Sequence, residues 1–221
     1  MRVAVVANQT TTIGTTHLVD SFIGSGISVV KVFAPEHGFR GDAGAGEHIA
    51  DGKDAKTGLP LISLYGKNKK PSPQMLDNVD VIVFDIQDVG ARFYTYISTM
   101  HYVMEAAAEK GIDIIILDRP NPNGHYIDGP VLDLKFKSFV GMHPIPMVHG
   151  LTVGELAQMI VGEHWIDAFR GKEHLLRIIT CKNYNHTDHY KLPIRPSPNL
   201  ATERAIYLYP SLCWFEGTIV S

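Results

Sequence analysis

Apolar residues arrive along this chain in short blocks, and the blocks follow two rhythms. Residues 3–7, 27–33, 79–85 and 114–117 are near-continuous apolar runs bounded by turn residues. That is the pattern of strands buried on both faces of a parallel sheet. Residues 96–110 instead place Met100, Val103, Met104 and Ala107 at i, i+3, i+4 and i+7, one face of a helix that Gly111 closes. A shorter helix is predicted over 16–23, and further strands over 61–65 and 175–180. Thr152 and Glu155 form a capping box that opens a helix running to Gly162, with Leu156, Met159 and Ile160 turned inward. Strands alternating with helices predict an α/β fold: a Rossmann-like, mostly parallel sheet with crossover helices.

Three of the predicted strands end in acids, and ligands of open α/β sheets bind outside the carboxyl ends of the strands. Glu36 follows the second strand in Phe33-Ala34-Pro35-Glu36-His37-Gly38-Phe39-Arg40-Gly41, where an acid, an imidazole and a guanidinium share one shaped loop. Asp85 closes the 79–85 run, and Asp88, Gln87, Arg92, Tyr94 and Tyr96 follow in the next loop. Asp118 closes the 114–117 run and leads into Arg119, Asn121 and a proline-stiffened turn. If the strands are parallel, these acids meet at one rim. Aromatic rings stack on the apolar faces of sugars, while acids, amides and arginine grip hydroxyls, so the 85–96 loop suits a saccharide. Taken singly, each acid also fits a plain cap or ion pair. His143, His149 and the Ser197-Pro198-Asn199 turn are weaker candidates, and Lys67–Lys70 reads as a solvated turn. The glycine-rich stretch 38–58 is predicted to be a long functional loop, since structureless loops beyond about 12–15 residues are otherwise uncommon.

Composition narrows the classes. A formal net charge of -3 over 221 residues leaves no basic stripe for nucleic acid. No apolar run approaches the ~18–20 residues of a membrane span. The eleven histidines are scattered without a zinc-protease spacing, and two cysteines are too few for a disulfide scaffold. The Asn8–Gly14 loop carries neither G-x-G-x-x-G nor a P-loop, so no nucleotide is expected. Asp85, Asp88 and Asp118 offer oxygen ligands to a hard cation, but no spacing is diagnostic, and the expected cofactor list is empty. Met1-Arg2 runs straight into the first strand, so no export signal is read.

The motifs resemble one family, the exo-acting β-N-acetylmuramidases of peptidoglycan recycling (the NamZ-type enzymes, long known only as a domain of unknown function). The resemblance is carried by Ala7-Asn8-Gln9-Thr10, the 33–42 segment, and Thr57-Gly58-Leu59-Pro60 with Ser63-Leu64-Tyr65-Gly66. It continues through 83–90 with Arg92-Phe93-Tyr94-Thr95-Tyr96, Leu117–Pro122, Gly129-Pro130-Val131, and Pro196-Ser197-Pro198-Asn199. It implies a Rossmann-like catalytic domain over 1–200, with 201–221 starting a connection to a smaller carboxy-terminal domain. Members run on past Glu216-Gly217-Thr218, so a truncated chain is expected. It also implies a periplasmic or extracellular setting and release of N-acetylmuramic acid from the non-reducing end of peptidoglycan fragments.

By motif match the catalytic glutamate falls on Glu36 with His37 beside it. Asp85 or Asp88 would be the second carboxylate of a glycosidase, unless the sugar's own 2-acetamido oxygen is the nucleophile. The lactyl carboxylate of muramic acid calls for a cation, expected at Arg40, Arg92 or Arg119, with Arg40 favoured for sharing the Glu36 loop. Asn8, Gln87, Tyr94, Tyr96, Asp118, Asn121, His143 and Asn199 complete the expected substrate-binding set. Two alternatives stand beside this reading: a metal-dependent hydrolase built on Asp85, Asp88 and Asp118, and a non-catalytic muropeptide-binding module. The sequence does not set the oligomeric state.

Overall fold

The elements run β1 (Arg2–Ala7), β2 (Thr12–Ile13), β3 (Thr16–His17), α1 (Leu18–Gly24), β4 (Ser28–Ala34), β5 (Gly52–Lys53) and β6 (Pro60–Ser63). They continue with β7 (Val81–Asp85), α2 (Tyr96–Lys110), β8 (Asp113–Leu117), α3 (Val153–Gly162), β9 (Leu176–Ile179) and α4 (Glu203–Leu212). This computed structural model describes residues 1–41, 51–66 and 68–215. Residues 42–50 of the glycine-rich loop, Lys67 of the basic cluster and the Glu216-Gly217-Thr218 segment lie outside the described residues.

Among the described residues, seven strands form one sheet in the order β5-β6-β4-β1-β7-β8-β9. Its pairs are parallel except for β5 against β6, which confirms the mostly parallel α/β fold. From β1 the chain builds β4 and β6 outward on one side, then crosses back to β7 and β8 on the other. The crevice of such a sheet opens at the carboxyl ends on either side of β1. Asn8, Glu36 and Gln87 leave the sheet at those ends.

The central strands are buried on both faces, and their side chains divide by the two-residue period of a strand. Ala4, Val6, Ile82 and Phe84 face the larger core under α2 and α3. Val3, Val5, Val81 and Val83 face the smaller core with Leu18 and Val19 of α1. The α2 stripe Met100, Val103, Met104 and Ala107 is fully buried, and Gly111 ends the helix in the left-handed region at φ 72. At α3 the capping box is present, but Met159 is exposed, not inward. The buried stripe there is Val153, Leu156, Ala157, Ile160 and Val161, which puts Met159 outside its arc.

The 201–221 stretch holds an unpredicted helix, α4, that packs onto the main core through Ile206, Ala205 and Tyr209. Pro210 inside it has no N–H to donate to the Ile206 carbonyl one turn back. The Asn123 side chain donates to that carbonyl instead, at 3.3 Å, and ties the helix to the 118–124 turn.

Candidate active site

Glu36 stands at the exit of β4, on a turn closed by the Gly38 amide donating to the Pro35 carbonyl at 3.1 Å. His37 takes φ 69 there and Gly38 φ 80, the left-handed region. For glycine this is free, but for a histidine it carries a cost of about 1–3 kcal/mol, of the kind that clusters at functional sites. The His37 ring is 8% exposed, and its Nδ1 atom is buried without a hydrogen-bond partner.

The Glu36 carboxylate is held from two elements. Thr95 donates its hydroxyl to Oε2 at 3.3 Å, and Tyr96 donates to the Glu36 backbone carbonyl at 3.3 Å. Thr95 is the N-cap residue of α2 yet makes no capping hydrogen bond, because its side chain is turned to Glu36. Tyr65, after β6, also faces the carboxylate. Burial, followed by the Glu36 charge, raises its hydroxyl's pKa, which leaves it a protonated donor.

Glu36 and His37 open into a cavity of about 740 Å³. One wall is aromatic: Phe93, Tyr94, Tyr96 and Tyr209. Their rings meet edge to face, with centroids 4.8 Å apart for Tyr94–Tyr96 and 5.3 Å for Phe93–Tyr209. Tyr94 donates to the Pro196 carbonyl at 2.9 Å, which fixes the Ser197–Asn199 turn at the cavity edge. Burial pushes both the Tyr94 and Tyr96 hydroxyls well above their ordinary values, so both stay neutral. Lys69 and Phe139 also line the cavity. Aromatic rings beside a carboxylate, an imidazole, an ammonium and an amide match the chemistry of a saccharide, whose ring offers one apolar face and a fringe of hydroxyls.

Of the residues singled out from sequence, Glu36, His37, Tyr94, Tyr96 and Asn199 line this cavity. The others lie outside its lining and have other partners. Asn8 is buried, accepts from the Thr10 amide and hydroxyl, and turns its amide toward the Tyr96 hydroxyl. Gln87 donates to the Asp88 and Pro120 carbonyls at 2.9 and 2.8 Å. Asn121 donates to the Leu151 carbonyl and packs against Gly90, where a β-carbon would sit 2.4 Å from its amide oxygen. His143 pairs with His101 in the core at 3.1 Å.

The acids expected to gather around one sugar are therefore divided. Asp85 is buried in a bidentate pair with Arg119, at 2.6 and 2.9 Å. Burial raises its pKa, with Arg119 acting against that rise. Asp118 caps α3, accepting from the Gly154 amide at 2.8 Å and the Thr152 hydroxyl at 2.9 Å. Asp88 accepts from the Gly90 amide at 2.7 Å and lies 3.5 Å from the His149 ring. Among the described residues, no group of three His, Cys, Asp or Glu side chains is placed to hold a metal.

The three arginines expected at a substrate carboxylate are likewise engaged elsewhere. Arg40 pairs with Asp54 at 2.8 and 2.9 Å and with Asp20 at 3.2 Å. That holds the Asp54 carboxyl far below the usual range. Arg92 donates to the Pro130 and Ile145 carbonyls. Each guanidinium found a partner that sequence distance hid.

Tyr65, Lys69, Phe139 and Tyr209 line the cavity without having been singled out as site residues. Tyr65 lies inside the Ser63–Gly66 motif, a signal that was available. For Lys69 and Phe139 nothing in local pattern separates a cavity wall from a surface turn. Tyr209 belongs to α4, a helix that local sequence pattern does not announce.

A profile of the family described as "Exo-beta-N-acetylmuramidase NamZ, N-terminal" matches residues 3–204. The peptidoglycan beta-N-acetylmuramidase NamZ of Bacillus subtilis is 50% identical over 200 residues, covering 88% of this chain and 47% of that protein. A crystal structure of a DUF1343 family protein from Bacteroides fragilis superposes with a TM-score of 0.85 at 49% identity, covering 98% of this chain and 57% of that one. A second such protein from the same species gives 0.85 at 38% identity, with 96% and 54% covered. The chain thus spans about half the length of the relatives it matches.

Proposed function

Because this chain belongs to the exo-β-N-acetylmuramidase NamZ N-terminal family, we propose that it carries the acid/base of a glycosidase site. The site would release N-acetylmuramic acid from the non-reducing end of peptidoglycan fragments. The observation that carries the reading is Glu36: a carboxylate held by Thr95 and Tyr65 on the lining of an aromatic-walled cavity. With such fragments as substrate, the site would act in the periplasm or outside the cell.

In this mechanism Glu36 gives its proton to the leaving glycosidic oxygen as the C1–O bond breaks. Among the described residues Glu36 is the one carboxylate on the cavity wall, with Asp85 and Asp88 outside it. That favours the route in which the sugar's 2-acetamido oxygen attacks C1 and forms a cyclic intermediate. Glu36 then takes a proton from the water that opens that ring, and the enzyme returns to its starting state. Phe93 and Tyr209, the partly exposed rings of the wall, stack on the sugar with Tyr94 and Tyr96 buried behind them, and the Ser197–Asn199 turn meets its hydroxyls.

The test is hydrolysis of a chromogenic β-glycoside of N-acetylmuramic acid. Release is expected from the wild-type chain, with a loss of about 10²–10⁴-fold in Glu36→Gln. A trifluoroacetamido substrate should react far more slowly, because its carbonyl oxygen is a poorer nucleophile. Full activity in a folded Glu36→Gln variant would remove the assignment. Equal rates for the two substrates would return the nucleophile to a protein carboxylate.

A further inference from the structure

We propose that Lys69 is the specificity determinant of this site: its ammonium takes the lactyl carboxylate that separates N-acetylmuramic acid from N-acetylglucosamine. The inference rests on the saccharide reading above and names the group that reads the substrate's charge.

A carboxylate buried against an aromatic wall needs a cation. Arg40, Arg92 and Arg119 are engaged by Asp54, by backbone carbonyls and by Asp85. Among the described residues lining the cavity, Lys69 is the one lysine or arginine. Its Nζ atom lies over the face of Phe139, 4.3 Å from the ring centroid. A ring face attracts an ammonium weakly and leaves its other N–H groups unpaired. An incoming carboxylate supplies the stronger, charge-assisted partner. A point charge on a flexible stem also suits an ether-linked arm, whereas a planar fork demands one fixed orientation.

The position of this ammonium is built, not incidental. The next residue, Lys70, bridges Glu105 and Glu109 of α2 at 2.9 and 2.8 Å, which pins the segment to that helix. Phe139 is fixed to the same helix twice: its carbonyl accepts from Ser98 at 2.6 Å, and its ring stacks on Tyr102 with centroids 6.1 Å apart. The N-terminus of α2 holds Glu36 through Thr95 and Tyr96. One rigid helix therefore references both the acid and the cation. The reacting bond and the lactyl arm are read against a common frame.

The experiment compares wild type, Lys69→Met and Lys69→Arg on chromogenic glycosides of N-acetylmuramic acid and N-acetylglucosamine. It adds binding of the free sugars and of the methyl ester of N-acetylmuramic acid. Lys69→Met is expected to lower kcat/KM for the muramic substrate about 10–100-fold, mainly through KM. The glucosamine substrate should change less than about twofold, since it offers no anion to lose. Lys69→Arg, which keeps the charge but not the flexible point geometry, should restore only part of the gap, and the methyl ester should bind wild type as weakly as the free acid binds Lys69→Met. Undiminished preference for the muramic sugar in Lys69→Met would overturn the assignment and leave the glycosidase reading standing. A wild-type chain that binds neither sugar would overturn the saccharide reading itself.

Discussion

Two helices begin at the same rim of the sheet, each next to a threonine, and they are finished in opposite ways. At α3, Thr152 accepts from the Glu155 amide at 3.2 Å, and Glu155 returns the bond to the Thr152 amide at 2.8 Å. Asp118 adds bonds from the Gly154 amide and the Thr152 hydroxyl, so this start is capped from inside the protein. At α2, Thr95 caps nothing and gives its hydroxyl to Glu36, while His37 sits in a strained backbone with an unpartnered nitrogen. Local stability has been closed at one start and left open at the other. An acid at a strand end is therefore informative only once its partners and surroundings are known: Asp118 is spent on a helix start, whereas Glu36 keeps its carboxylate on the cavity wall.

The strongest way to break this contrast is to neutralise one acid from each side. Asp85→Asn strands the Arg119 guanidinium in a buried pocket, and removing one partner of such a pair costs about 3 kcal/mol. Glu36→Gln removes an acid that no cation holds among the described residues, so stability should move by less than about 0.5 kcal/mol while activity falls by orders of magnitude. Urea denaturation beside a glycoside assay reads both. If Asp85→Asn keeps full stability, or Glu36→Gln unfolds the chain, the assignment of closed and open sides fails.

Acid should strike the buried core before the site. His101 and His143 are buried against each other, and that burial holds them at about 4 and about 3, below the ordinary 6.5. Both stay neutral in the fold, whereas the unfolded chain protonates its histidines near pH 6.5. Between pH 6.5 and about 4 the unfolded state binds more protons, so this contribution to stability is complete above 6.5 and is lost as pH falls. Each pH unit by which an imidazole is held neutral below its ordinary titration point costs about 1.4 kcal/mol, so the decline should be steep over this window. Asp85 and Asp118, raised by burial, act with the opposite sign, so the clean reading is a difference. A His143→Phe variant should show a shallower decline than wild type over that window, and identical slopes would exclude the pair as the source.

Much of the fold could be read because its signals are local. The α2 stripe with Gly111, the Thr152–Glu155 box and the apolar strand runs each depend on residues within a turn or two of one another. The candidate site was legible only in part, because its meaning lies in pairings across long separations. Asp85 and Arg119 are 34 residues apart, and Arg40 and Asp54 are 14. No spacing rule announces either pair, so committed arginines looked free and the capping Asp118 looked like a substrate-binding acid. The Glu36 loop was the exception, since adjacent acid, imidazole and glycine carry both the chemistry and the unusual backbone in one short segment. The α4 helix stayed hidden because Pro210 argues against it, and the Asn123 amide that offsets that proline is far away in sequence.

A finer test separates the backbone of His37 from its ring. Alanine and glycine both remove the imidazole, and they differ by one β-carbon. In an ordinary helix interior alanine is the more stable by roughly 0.5–1 kcal/mol. At φ 69 the order should invert, with His37→Gly more stable than His37→Ala by about 1 kcal/mol. Both variants should lose activity alike if the ring is what the site uses. Alanine matching or exceeding glycine in melting temperature would mean that the turn stores no strain.

The smallest expected effect is the most specific. Replacing an N-cap threonine by alanine ordinarily costs about 1 kcal/mol, because an amide in the first helical turn loses its acceptor. Thr152→Ala should show that full loss, and with it the bond to Asp118. Thr95→Ala removes no cap, since the hydroxyl points to Glu36, so its cost should stay within a few tenths of a kcal/mol. The rate should nonetheless fall, because Glu36 loses the donor that aims its carboxylate, and Thr95→Ser should recover most of it. Denaturant midpoints for both alanine variants, set beside kcat for Thr95→Ala and Thr95→Ser, decide the matter. Equal stability losses at the two threonines would show that Thr95 is an ordinary cap, and the contrast between the two helix starts would lose its basis.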